Sequence, residues 1–290
     1  YAGNRLLEPI DRMLRRRFQR ADLPIVFIVC VPRSGGTVLY QLLARFLDVA
    51  YINNRMARFW AAPVVGAWLY GRQRRESIEF RSSYGRSGGA AGPHEFAWFW
   101  HHHGPFDESD ELSEAELASI DGPKLREALQ GLAGFAGRPL VIKSIDYVNH
   151  QIAWLKRLLP TAKFVWIERD PARVLPSIVR ARQTENRDPG AWWSTRPRDF
   201  RQWRQLPVAE QARRQIEHVR EAIARGLAEV PPSDWLRITH EDLVAAPAAT
   251  IARVAAFMGA TVVDPGGLAA LRLDGHLERQ TAGDSESKPR

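Results

Sequence analysis

The segment Pro24 to Thr37, PIVFIVCVPRSGGT, constrains this chain more than any other. Ile25, Val26, Phe27, Ile28 and Val29 form a β-branched and aromatic run without polar alternation, the pattern of a strand buried on both faces of a parallel sheet. Arg33-Ser34-Gly35-Gly36-Thr37 then opens a helical stripe of Leu39, Leu42, Leu43, Phe46 and Leu47. Glycines at that junction let the backbone approach an anion, and a helix start offers free N–H groups and the positive end of its dipole. The segment therefore predicts a phosphate-binding loop. A nucleoside-triphosphatase loop would read G-x-x-x-x-G-K-[ST]. Here Gly36 stands at the lysine position and the first glycine is absent, so the triphosphate grip is missing.

A second strand signal, Lys163 to Asp170 (KFVWIERD), ends in charge, with Pro171 at a helix start and Ser177 further along that helix. Guanidinium makes forked, charge-assisted bonds to phosphate, and a serine on the adjacent helix adds a neutral donor. The plain alternative for Arg169-Asp170-Pro171 is a capping turn with a surface ion pair.

Together the two motifs resemble the sulfotransferases that use 3′-phosphoadenosine 5′-phosphosulfate (PAPS). In that family the first loop holds the 5′-phosphosulfate, and an arginine and a serine eight positions apart bind the 3′-phosphate. Arg33, Ser34, Gly35, Gly36 and Thr37 match the loop, and Arg169 and Ser177 match the pair. Pro139 to Ser144 (PLVIKS) is similar to the family's third strand, and Trp235 to Leu243 (WLRITHEDL) to its late strand and turn. Pro247 to Gly259 resembles the family's closing amphipathic helix. The matches run in order from Pro24 to Gly259. The resemblance implies a P-loop α/β fold, three layers with a mostly parallel central sheet, and transfer of a sulfuryl group to a hydroxyl or amine. It also implies Lys143 near the bridging oxygen; the bare reading of that lysine is a charge at a strand exit.

The base that takes the acceptor's proton is less legible. Cytosolic members carry a histidine two residues after the third-strand lysine, where this chain has Ile145. Other members use a glutamate from the region before that strand, and Glu95 fits the order. Pro93 to Trp100 reads as a short helix with Pro93 in its first turn, so Glu95 equally suits a carboxylate complementing the helix dipole. His94 and Asp146 are backup bases. His240 replaces the family's usual tyrosine beside adenine, which leaves that contact open.

Between the loop and the third strand, Arg55, Arg58, Phe59 and Trp60 could stack on a ring or pack a core. Gly85 to Gly92 (GRSGGAAG) repeats RSGG without a preceding strand and reads as a mobile loop. Arg187 to Pro207 holds Trp192, Trp193 and Trp203 among Arg196, Arg198, Arg201 and Arg204, suited to an acidic sugar or to a packed flap. Pro207 to Val230 is a long amphipathic helix.

The 290 residues, 45% hydrophobic, suffice for one α/β domain spanning the chain, with a helical extension over 1–23 and a polar tail over 283–290. The single cysteine, Cys30, allows no intrachain disulfide and reads as a core residue in a cytoplasmic, reducing setting. No apolar run is long enough to span a bilayer. Leu6 to Arg20 mixes apolar residues with Arg15, Arg16 and Arg17, which leaves peripheral membrane contact open beside packing on the domain edge. The net charge of +8 suits anionic ligands. The arginines are dispersed and accompanied by no nucleic-acid motif, so a phosphorylated donor and a small-molecule or saccharide acceptor are the expected partners. His101, His102 and His103 lack metal-ligand spacing, and no metal is expected. Two other readings remain: a kinase or triphosphatase diverged at its loop, and a non-catalytic protein that binds an anionic polysaccharide or nucleic acid.

Overall fold

A computed structural model describes residues 2–72, 75–80, 82–83, 85–185 and 191–273. The expected polar tail and the start of the tryptophan-rich span lie outside these residues. Five strands form one sheet: β1 (Ile25–Val29), β2 (Ala50–Tyr51), β3 (Leu140–Lys143), β4 (Ala162–Glu168) and β5 (Trp235–Thr239). Their order is β2-β3-β1-β4-β5, and every pairing is parallel. Register matches Ile25 with Leu140 on one side and with Ala162 on the other.

All five residues of β1 are fully buried, and period-2 geometry divides them between two cores. Ile25, Phe27 and Val29 join a cluster with helices α5 (Gly122–Ala136), α6 (Pro171–Glu185) and α7 (Val208–Ala228). Val26, Ile28 and Cys30 join a second cluster with α2 (Gly36–Phe46) and α8 (Pro247–Met258). This is the expected three-layer α/β/α arrangement around a parallel sheet. β1 connects toward β2 on one side while its neighbour β4 connects toward β5 on the other, so the crevice between their carboxyl ends is where ligands bind in such sheets.

The N-terminal extension is helical, with α1 (Glu8–Phe18) packed against α5 and α3 (Pro63–Tyr70). Its basic cluster divides. Arg15 is buried and paired with Asp11 at 2.8 Å, whereas Arg16 is 70% exposed. Asp11 also accepts from the N–H groups of Val64 and Val65, which are the free donors at the start of α3.

The Pro93 segment departs from the expected helix. Helix α4 spans Ala97–His103, and Phe96 precedes it with φ of 60°. Phe96 is buried and stacks on Phe99 at 4.7 Å, so core packing of that ring sets the entry to the helix. Phe59 and Trp60 are also scaffold, packing on Tyr70 and His102. No described helix is long and apolar enough to cross a membrane.

Candidate active site

The loop after β1 turns through Arg33 (φ 70°) and Gly35 (φ 93°) into α2, whose start has no side-chain cap. Its first-turn N–H groups thus lack the partner that a capping residue would supply. Both glycines are required by space, and Gly35 by its dihedral angle as well. A Cβ on Gly35 would stand 2.5 Å from His240 Cδ2, and one on Gly36 would stand 2.6 Å from Cys30 Sγ and 3.2 Å from Lys143 Cε. The lysine absent from the loop is thereby replaced in space by one from the neighbouring strand.

Lys143 ends β3, is almost fully buried, and makes an ion pair with Glu95. Burial alone would lower its ammonium, but the charge of Glu95 and its hydrogen bond outweigh burial and hold it above its ordinary value. Glu95 owes its position to the turn at Phe96 and to Ser144, whose hydroxyl donates to the Glu95 carbonyl. Asp146 accepts from the hydroxyls of Ser194 and Thr195 at 3.2 and 2.6 Å. Burial, then the Glu95 charge, push its carboxyl up. His94 Nδ1 accepts from the Phe96 N–H at 2.8 Å, and burial lowers that ring.

On the β4 side, Arg169 Nη1 donates to the Arg33 carbonyl at 3.2 Å, and Arg33 Nε donates to Ser177 Oγ at 3.0 Å. Arg169 Nε is buried with no hydrogen-bond partner among the described residues. His240, which follows β5, stands over Gly35; burial, then the charge of Arg169, push its ring down to about 4.

These groups line one cleft of about 860 Å³ at the carboxyl ends of the strands. It brings together Arg33, Gly35, Gly36, Thr37, Glu95, Lys143, Arg169 and Ser177, with His94, Asp146 and His240. Ser34 is buried and stands in the loop with its N–H on the Val31 carbonyl. Arg173 and Arg180 also line the cleft and went unremarked in the sequence. Their signal was there: Arg173, Ser177 and Arg180 fall at i, i+4 and i+7 on α6. Asn149 was likewise missed; its side chain accepts from the Cys30 N–H and donates to the Cys30 carbonyl, bracing the end of β1. Arg33, Phe96 and Ser194 are the non-glycine residues with positive φ among the described ones, and all sit at this cleft or beside it. Backbone strain of about 1–3 kcal/mol per residue collects where function constrains the chain.

Gly85 to Gly92 is fastened at the cleft rim. Gln41 donates to Ser87 Oγ, and Asn54 donates to the carbonyls of Ser87 and Gly89. The flap arginines point away from the cleft, with Arg196 bonded to Asp110, Arg198 to Glu111 and Glu116, and Arg201 to Glu108. Trp192 is packed over Arg182, and from this aromatic group only Trp193 lines the cleft. His101, His102 and His103 diverge toward Asp107, Trp60 and Phe99 respectively.

The sequence matches the model of the sulfotransferase family over residues 24–265. The chain therefore belongs to the sulfotransferase family. No curated protein matches it. Among solved structures, sulfotransferase STF9 from Mycobacterium avium aligns at a TM-score of 0.54 with 15% identity, over 93% of this chain and 70% of its own. Sulfotransferase STF1 from Mycobacterium tuberculosis aligns at 0.51 with 15% identity, over 95% and 83%. At these identities the likeness is one of fold.

Proposed function

We propose that the protein transfers a sulfuryl group from PAPS to a hydroxyl or amine, releasing adenosine 3′,5′-bisphosphate. The observation that carries this reading is the convergence of Arg169, Ser177 and the β1 loop on one crevice. The residues present fit the donor. Arg33, Ser34, Gly35, Gly36 and Thr37 would hold its 5′-phosphosulfate, and Arg169 and Ser177 its 3′-phosphate, which ATP lacks.

The acceptor's oxygen or nitrogen bonds to sulfur as the bond from sulfur to the 5′-phosphate oxygen breaks, and that oxygen leaves with the electron pair. Glu95 accepts the acceptor's proton. Lys143, drawn from Glu95 toward the leaving oxygen, offsets the negative charge that develops there. Holding both groups in one ion pair keeps each at hand before the ligands arrive. Trp98 and Trp193 in the cleft wall favour a ring-bearing acceptor, a saccharide or other small molecule.

Calorimetry at fixed salt tests the donor: adenosine 3′,5′-bisphosphate should bind more tightly than ATP, and equal or tighter ATP binding would overturn the assignment. Arg169→Ala should weaken the bisphosphate by about 1.5–3 kcal/mol, the range for a charge-assisted hydrogen bond. Incubation with labelled PAPS and a panel of saccharide, phenol, lipid and amine acceptors then reads the reaction itself.

A further inference from the structure

Away from the cleft, three side chains converge that the transfer chemistry does not use. Glu111 lies in the turn before the short helix Glu114–Ser119, His150 follows the short helix Ile145–Val148, and His218 stands on α7. Each offers one ligand atom, and these atoms lie within 4.8 Å of one another. Glu111 Oε2 is 2.9 Å from His218 Nε2, and the rings of His150 and His218 are 5.5 Å apart. None of the three lines the cleft.

Both ring nitrogens of His150 are buried, and neither meets a hydrogen-bond partner among the described residues. A neutral imidazole carries one donor and one acceptor, and burying them unpaired is unfavourable. The Glu111–His218 hydrogen bond by itself leaves His150 unexplained. Two imidazoles and a carboxylate are the three-ligand set of open zinc sites. Bonds of about 2.0–2.2 Å to such ligands place tetrahedral donor atoms roughly 3.3–3.6 Å apart. That spacing lies between the 2.9 Å hydrogen bond and the 4.8 Å limit of the cluster, so small side-chain rotations suffice. The carboxylate is also held in place, because the same oxygen, Glu111 Oε2, accepts the Arg198 N–H at 3.1 Å.

We propose that Glu111, His150 and His218 bind one divalent transition-metal ion, zinc by ligand type, outside the cleft, with water as the fourth ligand of an open site that ties three segments together. Such an ion joins three segments that surround the flap. Asp110, beside Glu111, holds Arg196 at 2.8 Å, and Gln215, on α7 just before His218, donates to the carbonyls of Trp193 and Thr195. The ion would thus steady the strip that brings Trp193 and Ser194 to the cleft wall. The inference needs none of the sulfuryl-transfer assignments. It runs against the metal-free expectation from the sequence, where the three ligands are too far apart to form a spacing motif.

The test uses the full chain after dialysis against a chelator, titrated with zinc by calorimetry and with cobalt by visible absorption. One equivalent should bind, with an intense tetrahedral cobalt spectrum. At a hundredfold excess over the dissociation constant, zinc should raise the melting temperature by about 5 °C or more. Glu111→Gln, His150→Gln and His218→Gln should each lower affinity at least tenfold, while His101→Gln leaves it unchanged. Absence of stoichiometric binding, weak octahedral cobalt bands, or affinity unchanged in the three ligand variants would overturn the site. Should a ligand variant fail to fold, the cobalt spectrum of the unaltered chain decides.

Discussion

Two regions of the molecule bury a carboxylate against a cation, and they do so to different ends. In the seam under α1, Asp11 and Arg15 are 0% and 2% exposed, and Asp11 also accepts two backbone N–H groups of α3. At the carboxyl ends of the strands, Lys143 is nearly as buried at 4%, but its partner Glu95 is 27% exposed and faces the cleft. A buried pair closed on all sides is hard to open, since removing one partner strands the other away from water. A pair with one member at a cleft can exchange partners when a ligand arrives. The contrast teaches that burial alone does not mark a charge as functional; the missing wall does.

The largest effect that could break this comparison is in the cleft. Glu95→Gln should lower turnover by about 10²–10⁴-fold, the usual loss of a general base, with bisphosphate affinity nearly intact. His94→Gln and Asp146→Asn are the controls. Near-normal turnover in Glu95→Gln, with collapse in one control, would move the base to that residue. In the seam the outcome should be reversed. Asp11→Ala should cost about 3–5 kcal/mol of stability by urea unfolding, leaving activity per folded molecule unchanged. A loss below about 1 kcal/mol would reduce that pair to the standing of a surface one.

A pH series sharpens the contrast further. His240 is buried, and burial, then the Arg169 charge, push its ring down to about 4, whereas an unfolded histidine takes up its proton near 6.5. Its contribution to stability is therefore present above about pH 6.5 and lost as pH falls toward 4, in total about 3 kcal/mol. His240→Gln should flatten part of the stability curve in that window; an unaltered curve would remove His240 as a contributor to it. The smallest expected effect is Ser177→Ala, which removes one neutral hydroxyl beside Arg33. It should weaken the bisphosphate by about 0.5–1.5 kcal/mol in calorimetry, and a larger loss would mean that Ser177 orients Arg33 as well as meeting the ligand.

Much of the scaffold was legible in the chain because its signals are local. The unbroken apolar run of β1, the glycines after it, Pro171 at the start of α6 and Gly259 just past α8 each act within a few residues. The same holds for Arg169 and Ser177, which a strand end and a helix place a fixed distance apart. The Pro93 helix was misjudged because Phe96 takes a left-handed turn to bury its ring, a demand that comes from Phe99 and the core rather than from proline.

Which charges remain available was settled only in three dimensions. The sequence by itself determined a parallel sheet, a phosphate loop and a surplus of arginine. It could not separate Arg173 and Arg180, which line the cleft, from Arg196, Arg198 and Arg201, which face carboxylates of the 108–116 segment. Nor could it pair Glu95 with Lys143 or gather Glu111, His150 and His218. Those partnerships join segments far apart in the chain, and the packing of helices on the sheet brings them within reach. Local propensity writes the elements, whereas the neutralisation or exposure of a charge depends on what the fold sets opposite it.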